Sequence, residues 1–213
     1  MITIAFPETY TIFIDRFLIT AEAYRIPAKL IFNKIDLYNQ QQKQYLNELI
    51  DIYQKAGYEC FSVSVKENIN VSEITQLLKN KISLLAGNSG VGKSSLINMI
   101  DPGIQLKTSE ISDYHKSGKH TTTFAEMFEL SVGGYVIDTP GIRGFGLHDI
   151  HDEELFHFFP EIFKASENCK YHNCTHQHEP GCAVKIAIEK GTVSQLRYEN
   201  YLNILFDEES KHR

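Results

Sequence analysis

Two short stretches of this sequence carry residue types whose spacing suits phosphate and metal chemistry. Gly87 to Ser94 reads G-x-x-x-x-G-K-S, inside GNSGVGKSS at 87–95. Glycines at both ends let consecutive backbone N–H groups curl around an anion. The lysine adds a charge for phosphate oxygens, and the following hydroxyl is a ligand for a divalent cation. Further along, CKYHNCTHQHEPGC holds Cys169, Cys174 and Cys182 among His172, His176 and His178. Three thiolates and one imidazole make a closed tetrahedral set for one Zn²⁺, with no position open to water, so the ion would be structural. On spacing alone the histidines compete for the nitrogen position.

Other polar stretches end apolar, strand-like runs. Asn33-Lys34-Ile35-Asp36 closes AKLIFN. A carboxylate at Asp36 accepts from guanine N1–H and the 2-amino group; adenine offers no such pair, and an unpaired buried carboxylate is costly. Ser64-Val65-Lys66 follows YECFSVS and can bring a backbone N–H to guanine O6. Asp138 ends GYVIDTP, where it can hold Mg²⁺ through water, while the N–H of Gly141 can meet a γ-phosphate. In HTTT, 120–123, a threonine can close on Mg²⁺ in the triphosphate state; Thr122 is favoured, its neighbours remaining open.

Together these define a site for GTP or GDP with Mg²⁺. The phosphates fall to Gly87, Asn88, Ser89, Gly90, Val91, Gly92, Lys93, Ser94 and Ser95, the base to Asn33, Lys34, Asp36, Ser64, Val65 and Lys66, and the metal to Ser94, Thr122 and Asp138. Lys93, Thr122 and Gly141 would act on the reacting phosphoryl group. Ile142 stands where a water-orienting glutamine follows Gly141 in familiar switch proteins. An aliphatic side chain cannot polarise water, so intrinsic hydrolysis should be slow. His120, or a group from a partner, would assist it.

The order of these stretches is unusual. The base-recognition pair precedes the glycine-rich loop, and the Thr122 and Asp138 loops follow it. Cutting the ordinary order after the Asp138 loop and joining the old ends gives this one, and chain termini lying close together make such a permutation tolerable. The expectation is one nucleotide site, circularly permuted.

The elements that must position these residues alternate. ITIAF, AKLIFN, YECFSVS and KISLLAG read as strands; IDRFLITAEAY, QYLNELIDIYQKAG, VSEITQLLKN and KSSLINMI read as helices, the second closed by Gly57. TFAEMFEL and GYVIDTP form a strand pair turned at Gly133-Gly134. This predicts an α/β fold, a mostly parallel sheet with helices on both faces. After about residue 150 the alternation stops. DEELFHFFPEIF reads as one helix and SQLRYENYLNILF as another, with Thr192 and Gln195 as a capping box. The division expected is a permuted P-loop GTPase domain over 1–150 and a small helical zinc-binding domain over 151–213.

The 213 residues, 42% hydrophobic, suffice for one ordinary core and a satellite. A net charge of −6 lowers the prior for free nucleic acid as partner. There is no run of eighteen apolar residues and no signal-like start, so a cytoplasmic location without membrane contact is expected. Cys60 reads as a buried core thiol.

The motifs NKIDL, GNSGVGKSSLIN, GKHTTT, DTPGIRGFG and the cysteine–histidine cluster followed by RYENY resemble the RsgA/YjeQ family of circularly permuted GTPases over nearly the whole chain. The resemblance implies GTP hydrolysis stimulated by the small ribosomal subunit during its late maturation, with rRNA contact. It also selects His176 as the nitrogen ligand. Family members usually carry an N-terminal OB-fold RNA-binding domain; this chain starts at the first GTPase strand, so the expectation is a chain without that domain and with weaker RNA affinity, and a monomer is expected. The rival reading is a nucleotide-gated binding module with vestigial hydrolysis, on the strength of Ile142.

Overall fold

The computed structural model describes residues 1–106, 126–138 and 150–207. They form two compact units, each assembled from separated stretches of chain. The first takes Met1–Thr9, Leu30–Gln44 and the described residues of 61–138; the second takes Tyr10–Lys29, Tyr45–Cys60 and those of 150–207.

In the first unit, β3 (Lys81–Leu85) lies parallel to β5 (Gly134–Asp138), and β5 pairs antiparallel with β4 (Glu126–Glu129). The hairpin turns at Gly133-Gly134 as expected, with φ of +86° and +93°. A side chain at Gly134 would meet the Lys81 carbonyl at 2.4 Å, so this close backbone approach requires glycine. Strands β1 (Lys29–Phe32) and β2 (Glu59–Ser62), which belong to this unit from Leu30 and Phe61 on, form a separate two-stranded sheet. Helices α3 (Val71–Leu78) and α4 (Lys93–Ile100) pack in this unit, their Ile74, Leu96 and Ile97 buried with Val63 and Val136.

One expected strand is nearly absent. ITIAF contributes only a parallel bridge between Ile2 and Phe32. The reason is local. Thr3 and Thr9 exchange hydrogen bonds across a turn, and the Ile4 N–H goes to the Tyr38 hydroxyl, so the ladder groups are already engaged. The single, mostly parallel sheet is thereby corrected to two small sheets among the described residues.

The second unit is helical. It holds α1 (Thr11–Ala23), α2 (Gln40–Lys55) from Tyr45 on, α5 (Pro160–Ser166), α6 (Ala183–Glu189) and α7 (Gln195–Leu205). Gly57 closes α2 with φ +99° while the Tyr58 N–H reaches the Tyr53 carbonyl at 3.0 Å. The helix expected over DEELFHFFPEIF breaks at Pro160: Asp152–Phe158 is a 3-10 helix, Phe159 is extended, and α5 starts on the proline. A proline cannot supply the N–H a continuous helix needs and disfavours helical geometry in the residue before it. The proposed capping box is also corrected. Ser194 is the N-cap of α7, while Thr192 donates to the Ala187 carbonyl and Gln195 bonds Glu199. Cys60 is half-buried, with burial pushing its thiol up to about 12.

Arg197 on α7 is 1% exposed and ties four helices together. Its guanidinium donates to Asp15 of α1 and, with two nitrogens, to Glu161 of α5 at 2.5 and 3.2 Å. It lies over the rings of Tyr53 and Phe159, 5.3 and 5.0 Å from their centroids. Asn200 adds a 2.6 Å bond to Asp15. Burial pushes the Asp15 carboxyl up to about 6 even though Arg197 opposes it. Desolvation thus offsets part of what the ion pair gains. Among the described residues no helix is long and apolar enough to cross a membrane.

Candidate functional site

The glycine-rich loop leaves β3 and enters α4 through Gly92, the N-cap residue, at φ +101°. Gly87 and Gly90 also have positive φ. A side chain at Gly92 would stand 2.5 Å from Asn33 Nδ2. These positions exclude side chains from the cradle, and the first turn of α4 aims its free N–H groups into it. Ser94 and Ser95 lie in that turn, both half-buried; Ser89 is exposed.

Lys93 is buried, and its ammonium donates to the Gly87 and Asn88 carbonyls at 2.8 and 3.0 Å. Burial lowers its pKa and Asp138 opposes the shift. Asp138, at the end of β5 in register with Leu85, shows the mirror image: burial raises its pKa and Lys93 holds it down. Its Oδ1 is buried and has no hydrogen-bond partner among the described residues. An unpartnered carboxylate oxygen beside a phosphate loop suits a hydrated cation.

Asn33 is 2% exposed and braces two loops. Its Nδ2 donates to the Val91 carbonyl at 2.8 Å, and its Oδ1 accepts from the Val65 N–H at 3.1 Å. Lys34 adopts the left-handed conformation, φ +67°, and its ammonium bonds the carbonyls of Phe6 and Gly90, the latter at 2.7 Å. The turn carries Asp36 into a short 3-10 helix, Ile35–Leu37, where Ser64 donates to its Oδ1 at 2.5 Å. The three stretches expected to converge on phosphate and base are thus brought together. Of the Ser64–Lys66 amides, that of Ser64 goes to Ile69 and that of Val65 to Asn33. The Lys66 side chain is exposed, 3.8 Å from Glu67. Thr122, His120, Gly141 and Ile142 lie outside the described residues.

The cysteine–histidine cluster belongs to the second unit. The ligand atoms of Cys169, Cys174, His176 and Cys182 all lie within 4.8 Å of one another. His176 turns its Nδ1 to Cys169 and Cys182 at 3.7 and 3.5 Å, and those two sulfurs are 3.9 Å apart. Burial pushes the Cys174 thiol up to about 12 and lowers the His176 pKa. A bound cation would displace the thiol protons. Cys174, His176 and Cys182 are buried, which suits a closed structural centre. His172 and His178 are exposed, leaving His176 as the imidazole of the set.

Residues to which sequence analysis assigned no role hold the cluster. Glu179 accepts from the N–H groups of Thr175, Gln177 and His178 and from the Thr175 hydroxyl. Burial opposes ionisation, but these donors hold the carboxyl down at about 2. Tyr198 of α7 donates to the His176 carbonyl at 2.6 Å, and Phe156 sets its ring edgewise to the imidazole at 4.9 Å.

A glycine-rich loop between strand and helix, braced by an asparagine whose motif comes earlier in the chain, defines a P-loop nucleotide-binding protein with permuted order. A family model described as RsgA GTPase matches residues 1–148. Over the whole chain the sequence is 58% identical to small ribosomal subunit biogenesis GTPase RsgA 2 of Bacteroides thetaiotaomicron and 59% identical to its counterpart in Phocaeicola vulgatus, covering 69% of each. The fold superposes on the crystal structure of YjeQ from Thermotoga maritima with a TM-score of 0.84 at 39% identity, covering 100% of this chain and 70% of that one. YloQ, described as a circularly permuted GTPase, gives 0.79 at 32% identity, over 99% and 67%. The chain belongs to the RsgA GTPase family.

Proposed function

We propose that the chain hydrolyses GTP to GDP and phosphate in the late maturation of the small ribosomal subunit. The observation that carries this is the Asn33 brace, which joins the phosphate loop to the loops bearing Asp36 and Ser64. It accompanies identity above 50% to proteins named for small-subunit biogenesis.

In this reading Asp36 Oδ2 takes the guanine edge while Ser64 steadies Oδ1. Lys93 leaves the loop carbonyls for the β- and γ-phosphates, and the N–H groups of 87–95 hold their oxygens. Ser94 and Thr122 would hold Mg²⁺, with Asp138 acting through water, and the bound ion would supply charge neutralisation at the leaving group. Gly141 meets the γ-phosphate. Ile142 leaves the attacking water unoriented, so His120 or a ribosomal group completes the site. The cysteine–histidine cluster takes one structural Zn²⁺, since three sulfurs and one nitrogen at these separations match that ion. By span of sequence we assign 1–150 to the nucleotide module and 151–213 to the zinc module of a cytoplasmic monomer that contacts rRNA, with α1 and most of α2 lent by the first span to the helical unit of the second.

The test is turnover of GTP with and without purified small subunits. Stimulation of at least about tenfold is expected, since an assisting group in trans can contribute far more. Turnover unchanged by subunits, together with nucleotide-dependent subunit binding, would instead favour a binding module with vestigial hydrolysis, the reading that Ile142 supports.

A further inference from the structure

Tyr38 is 4% exposed, at the end of the 3-10 helix that carries Asp36. Its hydroxyl donates to the Asn33 carbonyl at 2.5 Å and accepts from the Ile4 N–H at 3.0 Å. Both partners are buried. The phenol therefore closes a loop over the Asn33–Asp36 turn from behind, anchoring it to the segment beside β1.

That turn needs an anchor. Lys34 is a non-glycine residue in the left-handed region, a conformation that persists where its surroundings over-determine it. The Lys34 ammonium fixes the turn on its exposed side, through Phe6 and Gly90. Asn33 fixes the preceding residue through its side chain. The peptide that links Asn33 to Lys34 is held by its carbonyl, and the partner of that carbonyl is Tyr38. Rotation of this peptide would swing Ile35 and Asp36 away from Ser64. Asp36 would then keep its charge but lose its aim.

We infer that Tyr38 is a positioning residue for base selection, acting through the Asn33–Lys34 peptide to aim the Asp36 carboxylate at the guanine edge. Its hydroxyl is engaged by two backbone groups, so its effect on the ligand passes through them. The inference rests on the proposed role of Asp36, and the test separates the two. GDP and inosine diphosphate differ only in the 2-amino group, one of the two donors assigned to Asp36. Calorimetric titration of the full chain with each, in Mg²⁺, reads that contact directly.

Wild type should prefer GDP, and Asp36→Ala should abolish the preference; a wild type without preference means the Asp36 reading itself has failed. With Tyr38→Phe the GDP affinity should fall about tenfold, the scale of one buried hydrogen bond left unmade. Inosine diphosphate should weaken much less, so the ratio collapses. In the Asp36→Ala background Tyr38→Phe should change GDP affinity little. A merely structural tyrosine predicts the opposite: equal weakening for both ligands, and an additive loss in the double variant. Either result, or an unchanged ratio, overturns the inference. Should Tyr38→Phe not fold, wild type still decides through exchange of the Ile4 amide. Greater protection with GDP than with inosine diphosphate is expected, and equal protection overturns it.

Discussion

Gly92 sits where loop, helix and asparagine meet, and there one methyl group matters. At φ +101° an alanine is strained, and its Cβ would press on Asn33 Nδ2 from 2.5 Å. Gly92→Ala should lower stability by about 1–2 kcal/mol from backbone strain alone. It should also displace Asn33 from Val91 and Val65, giving a lower urea midpoint and weaker GDP binding. A variant with wild-type midpoint and affinity would refute the brace. Asp36→Ala should separately lose the preference for GDP over ADP, read with labelled nucleotides. Both residues were legible in the sequence because their chemistry is packed into short motifs. Tyr38 was not. Its two partners, Ile4 and Asn33, become neighbours only through the bridge that lays the start of the chain on β1, and no spacing rule encodes that.

The metal loop shows what elements contribute. Purified protein should contain one zinc by metal analysis. Cys174→Ser should lose it, with loss of helical signal from the second unit while GDP binding persists; zinc-free wild type purified without chelator would remove the centre. Glu179→Gln should weaken zinc about 10- to 100-fold, the range for partners that orient a ligand loop, because three backbone N–H groups lose an ionised acceptor. The Glu179 carboxyl is held at about 2, below its ordinary 4.5. Its contribution is therefore full above pH 4.5 and fades as pH falls toward 2. The three cysteines of the cluster stood out by their spacing and His176 only through the family resemblance, while the glutamate that shapes their loop looked like any charged surface residue. Helix ends were less legible still. Pro160 divided an otherwise convincing periodic run, and Ser194 displaced Thr192 as cap because Thr192 was already finishing α6. The seven-residue α6 itself is too short for its period to stand out.

Across the molecule, the second unit depends on Arg197, among the most deeply buried charges of the described residues. Arg197→Met should destabilise it by about 3–5 kcal/mol, since Asp15 and Glu161 would be left as uncompensated buried carboxylates. Urea unfolding followed through zinc release would show it, and a loss under 1 kcal/mol would mean the cluster behaves as a surface pair. Strand–helix alternation made the α/β class legible; the discontinuous make-up of the two units was not, because it depends on which distant helices share a face. Asp15 and Arg197 stand 182 positions apart. At a synthesis rate of about 5–20 residues per second, roughly 10–40 seconds separate their emergence. For that interval α1 exists without the α7 surface that buries Ile19. The nascent chain thus carries an unfinished apolar helix until α7 emerges, and its window for aggregation or chaperone capture closes only then.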